Sequence, residues 1–272
     1  MTRRVAVAAA LVVLSLLVGT RWVTTRTAPV AQAQQPPPST PSPTPSPSPT
    51  RVTPSPVAPP KKTVAAPKPK PNRGRGGPYG SVRMTGKKAV ALTFDDGPHP
   101  VWTPQVLDRL RASKVKATFC LVGTQVRRHP GLVRRIVREG HTLCNHTWNH
   151  ELDLGTKPPA KIRANLEATN RAIREAVPDT EIKFFRHPGG KWTASAVEVA
   201  GSLGMTSLDW DVDPRDWETK DAKLIQTRIL GNARPGSIIL MHDGGGDRHG
   251  TLVACPKVIA TLKSRYGITL LR

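Results

Sequence analysis

Beyond Lys88 the chain alternates short apolar runs with longer segments whose apolar residues return every three or four positions. The runs read as strands at residues 89–94, 117–122, 142–145, 184–186, 205–208, 237–241 and 268–271. The longer segments read as helices. The first covers 104–113, with Val106, Leu107 and Leu110 on one face. The second runs from a Thr124 cap to about Gly140, with Val126, Leu132, Ile136 and Val137 inward. Others follow at 159–176, 194–203, 222–229 and 253–265. Strands alternating with helices predict a parallel sheet under helical cover. About seven such units suit a small, incomplete barrel better than an open nucleotide-binding sheet, and no glycine-rich phosphate loop follows the first strand. In such barrels chemistry gathers at the carboxyl ends of the strands.

The amino-terminal third has neither period. Arg3-Arg4 precedes an uncharged apolar run from Val5 to Gly19. That is short of the ~20 residues a membrane span needs, but it suits the apolar region of a signal peptide. Ala31-Gln32-Ala33 is a small-x-small cleavage site, so residues 1–33 read as a signal peptide. An uncleaved anchor over residues 5–23 is the alternative, and would give a membrane tether. Either reading exports the rest of the protein to the cell wall, the membrane surface or the medium. Residues 34–84 are dominated by Pro, Ser, Thr, Ala, Lys and Arg. Such a tract favours extended polyproline II and cannot build a core, so it reads as a disordered Pro-rich linker before a folded domain at 85–272.

Charge separates the two parts further. The chain carries 41 basic and 19 acidic residues, a formal net charge of +22. Fourteen of the basic residues, and none of the acidic ones, precede Asp95, which leaves the remainder only +8. A basic tether on an exported protein points to weak attraction for anionic wall polymers or lipid headgroups. No aromatic interleaving supports nucleic-acid binding, so no nucleic-acid partner is expected. Of the three cysteines, Cys120 and Cys144 fall in consecutive predicted strands and could face each other, leaving Cys255 over.

Candidate chemistry starts at Thr93-Phe94-Asp95-Asp96-Gly97-Pro98, where a buried strand gives way to a loop. Adjacent strand residues point to opposite faces, but at a strand end two carboxylates can converge, one on a cation and one on a proton. An Asp-Gly-Pro turn with a helix-capping aspartate fits the same residues. The third strand ends in His146-Thr147-Trp148-Asn149-His150. Histidines four apart can meet on one face of a helical turn and offer two imidazoles to an ion, though a solvated face has the same spacing. With Asp96 they would form a two-His, one-carboxylate set with open positions, suited to Zn²⁺, Co²⁺ or Mn²⁺.

Three further segments follow in order: Arg186-His187-Pro188-Gly189-Gly190, Asp213-Pro214-Arg215-Asp216-Trp217 and Leu240-Met241-His242. Together the five resemble the motifs of the NodB-homology polysaccharide deacetylases, carbohydrate esterase family 4. The resemblance covers about residues 88–272. It implies an α/β fold, a distorted (β/α)7 barrel, and removal of N- or O-acetyl groups from a polysaccharide with the help of one divalent metal ion; separately, a monomer is expected. It further implies Asp96, His146 and His150 as metal ligands, Asp95 as general base towards water on the ion, Arg186 as its orienter, and His242 as general acid paired with Asp216. Trp217 and Leu240 would wall the acetyl pocket, and the Gly189 N–H would serve the oxyanion. The family usually carries an aromatic residue where this chain has Gly189, so sugar stacking is expected from Trp102, Trp148 or Trp192. Peptidoglycan is the first expected substrate and chitin-type oligomers the next. An O-acetylxylan esterase and a catalytically silent glycan-binding module are the alternatives.

Overall fold

The computed structural model describes residues 76–272. The signal or anchor segment and nearly all of the linker lie outside the described residues. Within them no helix is long and apolar enough to cross a membrane. Six strands form one parallel sheet: β1 (Ala91–Asp95), β2 (Thr118–Leu121), β3 (Thr142–Asn145), β4 (Phe184–Phe185), β5 (Thr206–Ser207) and β6 (Ile238–His242), in the order β5-β4-β3-β2-β1-β6. Seven helices cover it: α1 (Trp102–Ala112), α2 (Gly123–Arg128), α3 (Pro130–Arg138), α4 (Pro159–Ala176), α5 (Ala194–Ser202), α6 (Ala222–Asn232) and α7 (His249–Arg265).

The period of two in each strand sorts the core. Leu92, Phe94, Phe119, Leu143, Phe185, Ile239 and Met241 face the helices and join the main apolar cluster. Ala91, Cys120, Cys144, Phe184 and Ile238 face the concave side with Val82 and Leu208. The helices present matching stripes: α4 buries Ile162, Leu166, Thr169, Ile173 and Ala176. Each aliphatic side chain so buried contributes about 1.5–3 kcal/mol. Past β5 the chain bends back to the other edge of the sheet. There the Asp211 N–H donates to Ile238 O and the Leu240 N–H to Val212 O, which curls the sheet into the distorted barrel.

Four expectations change. The single helix expected over 124–140 is two, because Pro130 cannot continue a helix and drives His129 out of the helical region (φ −131°, ψ 51°). The last helix starts a turn earlier, at His249, whose N–H bonds the Asp247 carboxylate. The strand expected at 268–271 shrinks to one bridge, Val90 to Ile268. Both edges of β1 are already taken by β2 and β6, so the returning chain can bond only the residue before the strand. The barrel is therefore six-stranded. Finally, residues 76–84 are not linker. Ser81 and Val82 are buried, and Val82 exchanges backbone hydrogen bonds with Ser207 and Asp209. Cys120 and Cys144 are register partners on β2 and β3 and form a disulfide, and Cys255 is a free, buried thiol.

Candidate active site

Alternation along β1 and β6 turns Asp95 and His242 to the same concave side, and the two are register partners on hydrogen-bonded strands. Arg186, just beyond β4, reaches the same space with its side chain fully buried. Its Nη1 donates to Asp95 Oδ1 at 2.7 Å and to Thr93 Oγ1 at 2.8 Å; its Nε and Nη2 donate to Leu208 O at 3.0 Å and Asp209 O at 3.2 Å. A buried guanidinium bonded through all three of its nitrogens is a fixed charge, not an adaptable one. It anchors one carboxylate oxygen of Asp95 and leaves Oδ2 turned towards His146 Nε2, 3.6 Å away.

Asp96 faces another way. It has φ +72°, a left-handed conformation costly for a residue with a Cβ. That turn carries its carboxylate towards two imidazoles: Oδ1 is 3.4 Å from His146 Nε2 and 3.2 Å from His150 Nε2. Oδ1 is buried and accepts no hydrogen bond. The three ligand atoms lie within 4.8 Å of one another. Donors about 2.0–2.1 Å from one ion at tetrahedral angles sit roughly 3.3–3.4 Å apart, so the spacing and the orphaned oxygen both fit a small divalent cation. His146 Nδ1 donates to Arg186 O at 2.8 Å, which fixes the tautomer and aims Nε2 at Asp96. Burial works against charge on Asp96, yet the imidazoles of His146, His242 and His150 hold its carboxyl far below the ordinary range.

The turn from His146 to His150 is not helical. Thr147 (φ +66°) and His150 (φ +61°) are both left-handed. The Thr147 N–H is taken by Asn145 Oδ1 and that of Trp148 by Asn165 Oδ1, which hold the turn. The imidazoles still meet, with ring centroids 5.1 Å apart.

Opposite the carboxylates, His242 Nδ1 bonds Asp216 Oδ1 at 2.7 Å. Asp216 Oδ2 accepts from the His242 backbone N–H at 3.0 Å and from Thr251 Oγ1 at 2.6 Å. Burial opposes a charge on His242, but the bond to Asp216 and its negative charge prevail and raise the imidazole from 6.5 to about 9. Asp216 shifts the opposite way: burial raises it, and the His242 bond more than offsets that. The pair is an orienting carboxylate and an imidazolium with Nε2–H free to give a proton.

Two adjacent carboxylates, an imidazole bonded to Asp216 and an Asp-His-His cluster thus share one rim, and comparisons with known proteins give the family. The profile of the family described as Polysaccharide deacetylase matches residues 83–208. A chitooligosaccharide deacetylase of Bradyrhizobium sp. (strain ANU 289) is 43% identical over 166 residues, 61% of this chain and 74% of that protein. A peptidoglycan-N-acetylglucosamine deacetylase of Bacillus cereus is 38% identical over 181 residues, 66% of this chain and 84% of that protein. The chain belongs to the NodB-homology polysaccharide deacetylases. Among solved structures, a peptidoglycan N-acetylglucosamine deacetylase crystallised with an N-oxidanyl-benzamide superposes with a TM-score of 0.64 at 35% identity, over 69% of this chain and 86% of that one.

Around this deacetylase's rim the expected side chains divide. Gly189 is exposed, and its N–H lies outside the neighbouring turn bonds from Gly190 to His187 O and from Lys191 to Pro188 O. Leu240 is buried two residues before His242 on the same face. Trp217 is 52% exposed, with the Arg215 guanidinium 5.6 Å over its ring, so it stands on the rim rather than in a closed pocket. Trp192 is core: it is buried, packs on Phe185 and donates to Asp209 Oδ1. The indole of Trp148 is sandwiched between Gly123 and Arg127, and Trp102 packs on the main core beside His99.

Four residues at the site escaped the sequence reading. Trp210 lies over the Arg186 guanidinium at 5.7 Å and packs on Gly190. Thr93 relays Arg186 to Ile239 O. Gly245 leaves room for the Asp96 carboxylate where a Cβ would collide with it. Asp243 is fully buried, accepts from Thr103 Oγ1 at 2.5 Å, and donates its N–H to Asp95 O; burial above all pushes its carboxyl up to about 7. A carboxylate directly after His242 was the available signal for Asp243. Trp210 and Gly245 carry no local signal, because their partners are distant in sequence.

Proposed function

We propose that the protein is an exported, metal-dependent deacetylase of N-acetylated cell-wall glycan, with peptidoglycan as first substrate and chitin-type oligomers as next. The observation that carries this reading is the register pairing of Asp95 with His242, beside the unbonded Asp96 oxygen that faces His146 and His150. Asp96, His146 and His150 would hold one divalent ion, best matched to Zn²⁺. Bound there, the ion supplies a Lewis acid for the acetyl carbonyl and brings the pKa of water towards neutrality.

Asp95 is the general base. Arg186 holds its Oδ1, so its Oδ2 takes the proton of the attacking water. The Gly189 N–H donates to the carbonyl oxygen as negative charge grows there. His242 then gives its Nε2 proton to the departing nitrogen as the C–N bond breaks, leaving acetate and a free amine. Asp216 keeps that imidazole protonated and in orientation. Leu240 lies beside His242 where an acetyl methyl would pack, with Trp217 on the rim above. Action outside the cytoplasm rests on residues 1–33 and the basic tract after them, which would also hold the enzyme near wall or membrane.

The test is acetate release by the full chain, stripped with a chelator and reloaded with Zn²⁺, Co²⁺ or Mn²⁺. Metal-restored release from N-acetylglucosamine oligomers and peptidoglycan is expected. Release from acetylated xylan alone would make the protein an ester hydrolase. Failure on every substrate with metal bound would make it a silent glycan-binding module.

A further inference from the structure

We infer that residues 151–156 form a specificity loop, clamped by His187 and Thr193 so that Leu152 walls the sugar site over Gly189. The inference takes from the deacetylase reading only the identity of the ligand, a pyranose of an N-acetylated glycan.

Leu152 follows His150 by two residues and is 45% exposed. A single exposed leucine means little in itself. This one reaches the backbone position where the family carries a ring: a Cβ built on Gly189 would lie 3.1 Å from Leu152 Cδ2. The side chain therefore fills the space next to the N–H assigned to the oxyanion.

The base of the same loop is fixed by an unusual commitment of side chains. His187 is completely buried and takes no part in the chemistry assigned above. Its Nδ1 donates to Pro188 O at 2.9 Å, so Nε2 is the unprotonated nitrogen, and it accepts the Gly155 N–H at 3.0 Å. Thr193 Oγ1 donates to Gly155 O at 2.9 Å while capping α5 through the Ala196 N–H at 3.1 Å. Both backbone groups of Gly155 are thus taken by side chains from the segment that carries Gly189. A Cβ at 155 would lie 2.8 Å from Thr193 Oγ1 and 3.1 Å from His187 Nε2, so the close approach requires glycine. Leu154, buried beside it, keeps the turn seated. The loop is rigid at its base and apolar at its tip. Such an arrangement suits an aliphatic surface held ready for a sugar face. His187 is accordingly a positioning residue and Leu152 the specificity-determining one.

Three variants of the full, metal-loaded chain test this. In His187→Leu the Gly155 amide loses its acceptor, and its hydrogen exchange should accelerate about a hundredfold. His187→Gln, whose Oε1 can accept the same N–H, should restore protection. Leu152→Ala and His187→Leu should each raise KM for chitotetraose about tenfold, the scale of one lost aliphatic contact, with kcat within threefold. The loss on an aryl acetate, which has no second sugar to pack, should be at least fivefold smaller. His187→Gln should recover most of the KM. An unchanged KM or tetraose affinity in Leu152→Ala would overturn the wall. Equal Gly155 protection in His187→Leu would overturn the clamp. Should the wild type release no acetate from any glycan, the deacetylase reading fails by itself. Tetraose affinity by calorimetry and Gly155 exchange then still decide the loop.

Discussion

Replacing Asp216 by Asn tests the acid half of the site with little change in shape. In the wild type Asp216 accepts three hydrogen bonds: His242 Nδ1–H, the His242 N–H and the Thr251 hydroxyl. The carboxamide offers one acceptor atom and one donor atom to those groups. If its oxygen keeps Nδ1–H, its NH₂ confronts the backbone N–H; if the oxygen serves the backbone, its NH₂ favours a lone pair on Nδ1 and the neutral ring. The charge is lost either way. The rise of His242 from 6.5 to about 9 is the net of burial, which lowers it, and of Asp216 first, then Asp96 and Asp95, which together raise it more. At about 1.4 kcal/mol per pH unit, that net amounts to about 3 kcal/mol in favour of the imidazolium. Without the Asp216 carboxylate the largest contribution opposing burial is gone, and the pKa of the ring should fall. The imidazolium is present below its pKa and lost as pH rises through it. The wild-type alkaline limb should therefore fall below about 9, since a cation at Asp96 opposes a second positive charge nearby. In Asp216→Asn it should move acidwards by at least one pH unit, and kcat at pH 8 should drop ~10²–10⁴-fold, the usual worth of a general acid. Acetate release from chitotetraose between pH 5 and 10 gives both quantities. An aryl acetate, whose leaving group needs no proton, should lose far less. Retention of the wild-type kcat and alkaline limb by the variant would remove His242 and Asp216 from the proton path.

The carboxylates should separate by assay. Asp95→Asn should bind Zn²⁺ within about threefold of wild type yet lose turnover, whereas Asp96→Ala should lose both; competition with a chromophoric chelator and acetate release measure the two. Gly245→Ala would press a methyl group on the Asp96 carboxylate at φ +71°, and Zn²⁺ affinity should fall at least ~10-fold. The control Gly204→Ala has similar backbone strain (φ +80°) but open space, and should cost only stability, about 1 kcal/mol. Reducing the Cys120–Cys144 bond, with sequence separation 24, should remove about 3 kcal/mol. That would lower Tm by roughly 6–12 °C in a domain of this size, read by calorimetry with and without reductant.

The strand ends were legible because chemistry and burial change there together. Ala91–Asp95 carries no charge until its last residue, and Arg186 follows two phenylalanines. The α4 boundaries were legible because Pro159 can only open a helix and the apolar stripe stops at Ala176. What stayed hidden depends on partners far along the chain. Residues 76–84 have linker composition, and only Val82 bonding to Ser207 and Asp209 makes them part of the barrel. A tryptophan in sequence is equally a core or a rim residue: Trp192 went inward to Asp209, while Trp210 went over Arg186. The turn at 146–150 was misjudged because spacing four is helical by default, whereas the left-handed backbone at Thr147 and His150, and the anchoring by Asn145 and Asn165, show only in three dimensions.

Under the proposed mechanism, adjacent aspartates in one turn would differ in function because two unlike cations would claim them. The guanidinium of Arg186 is locked by Thr93, Leu208 and Asp209 as well as by Asp95, so it cannot swing to Asp96. Asp96 is turned away from it by a left-handed backbone, and His150 reaches it from another such residue. Three of the six non-glycine residues with positive φ among those described, Asp96, Thr147 and His150, belong to this one cluster, at about 1–2 kcal/mol each. A free loop would relax and let the donors part. Here Asn145, Asn165 and the Asp243 N–H hold the backbone on both sides of the cluster. The strain is the means by which a carboxylate whose Oδ1 accepts no hydrogen bond stays aimed between two imidazoles, as the proposed metal site would require.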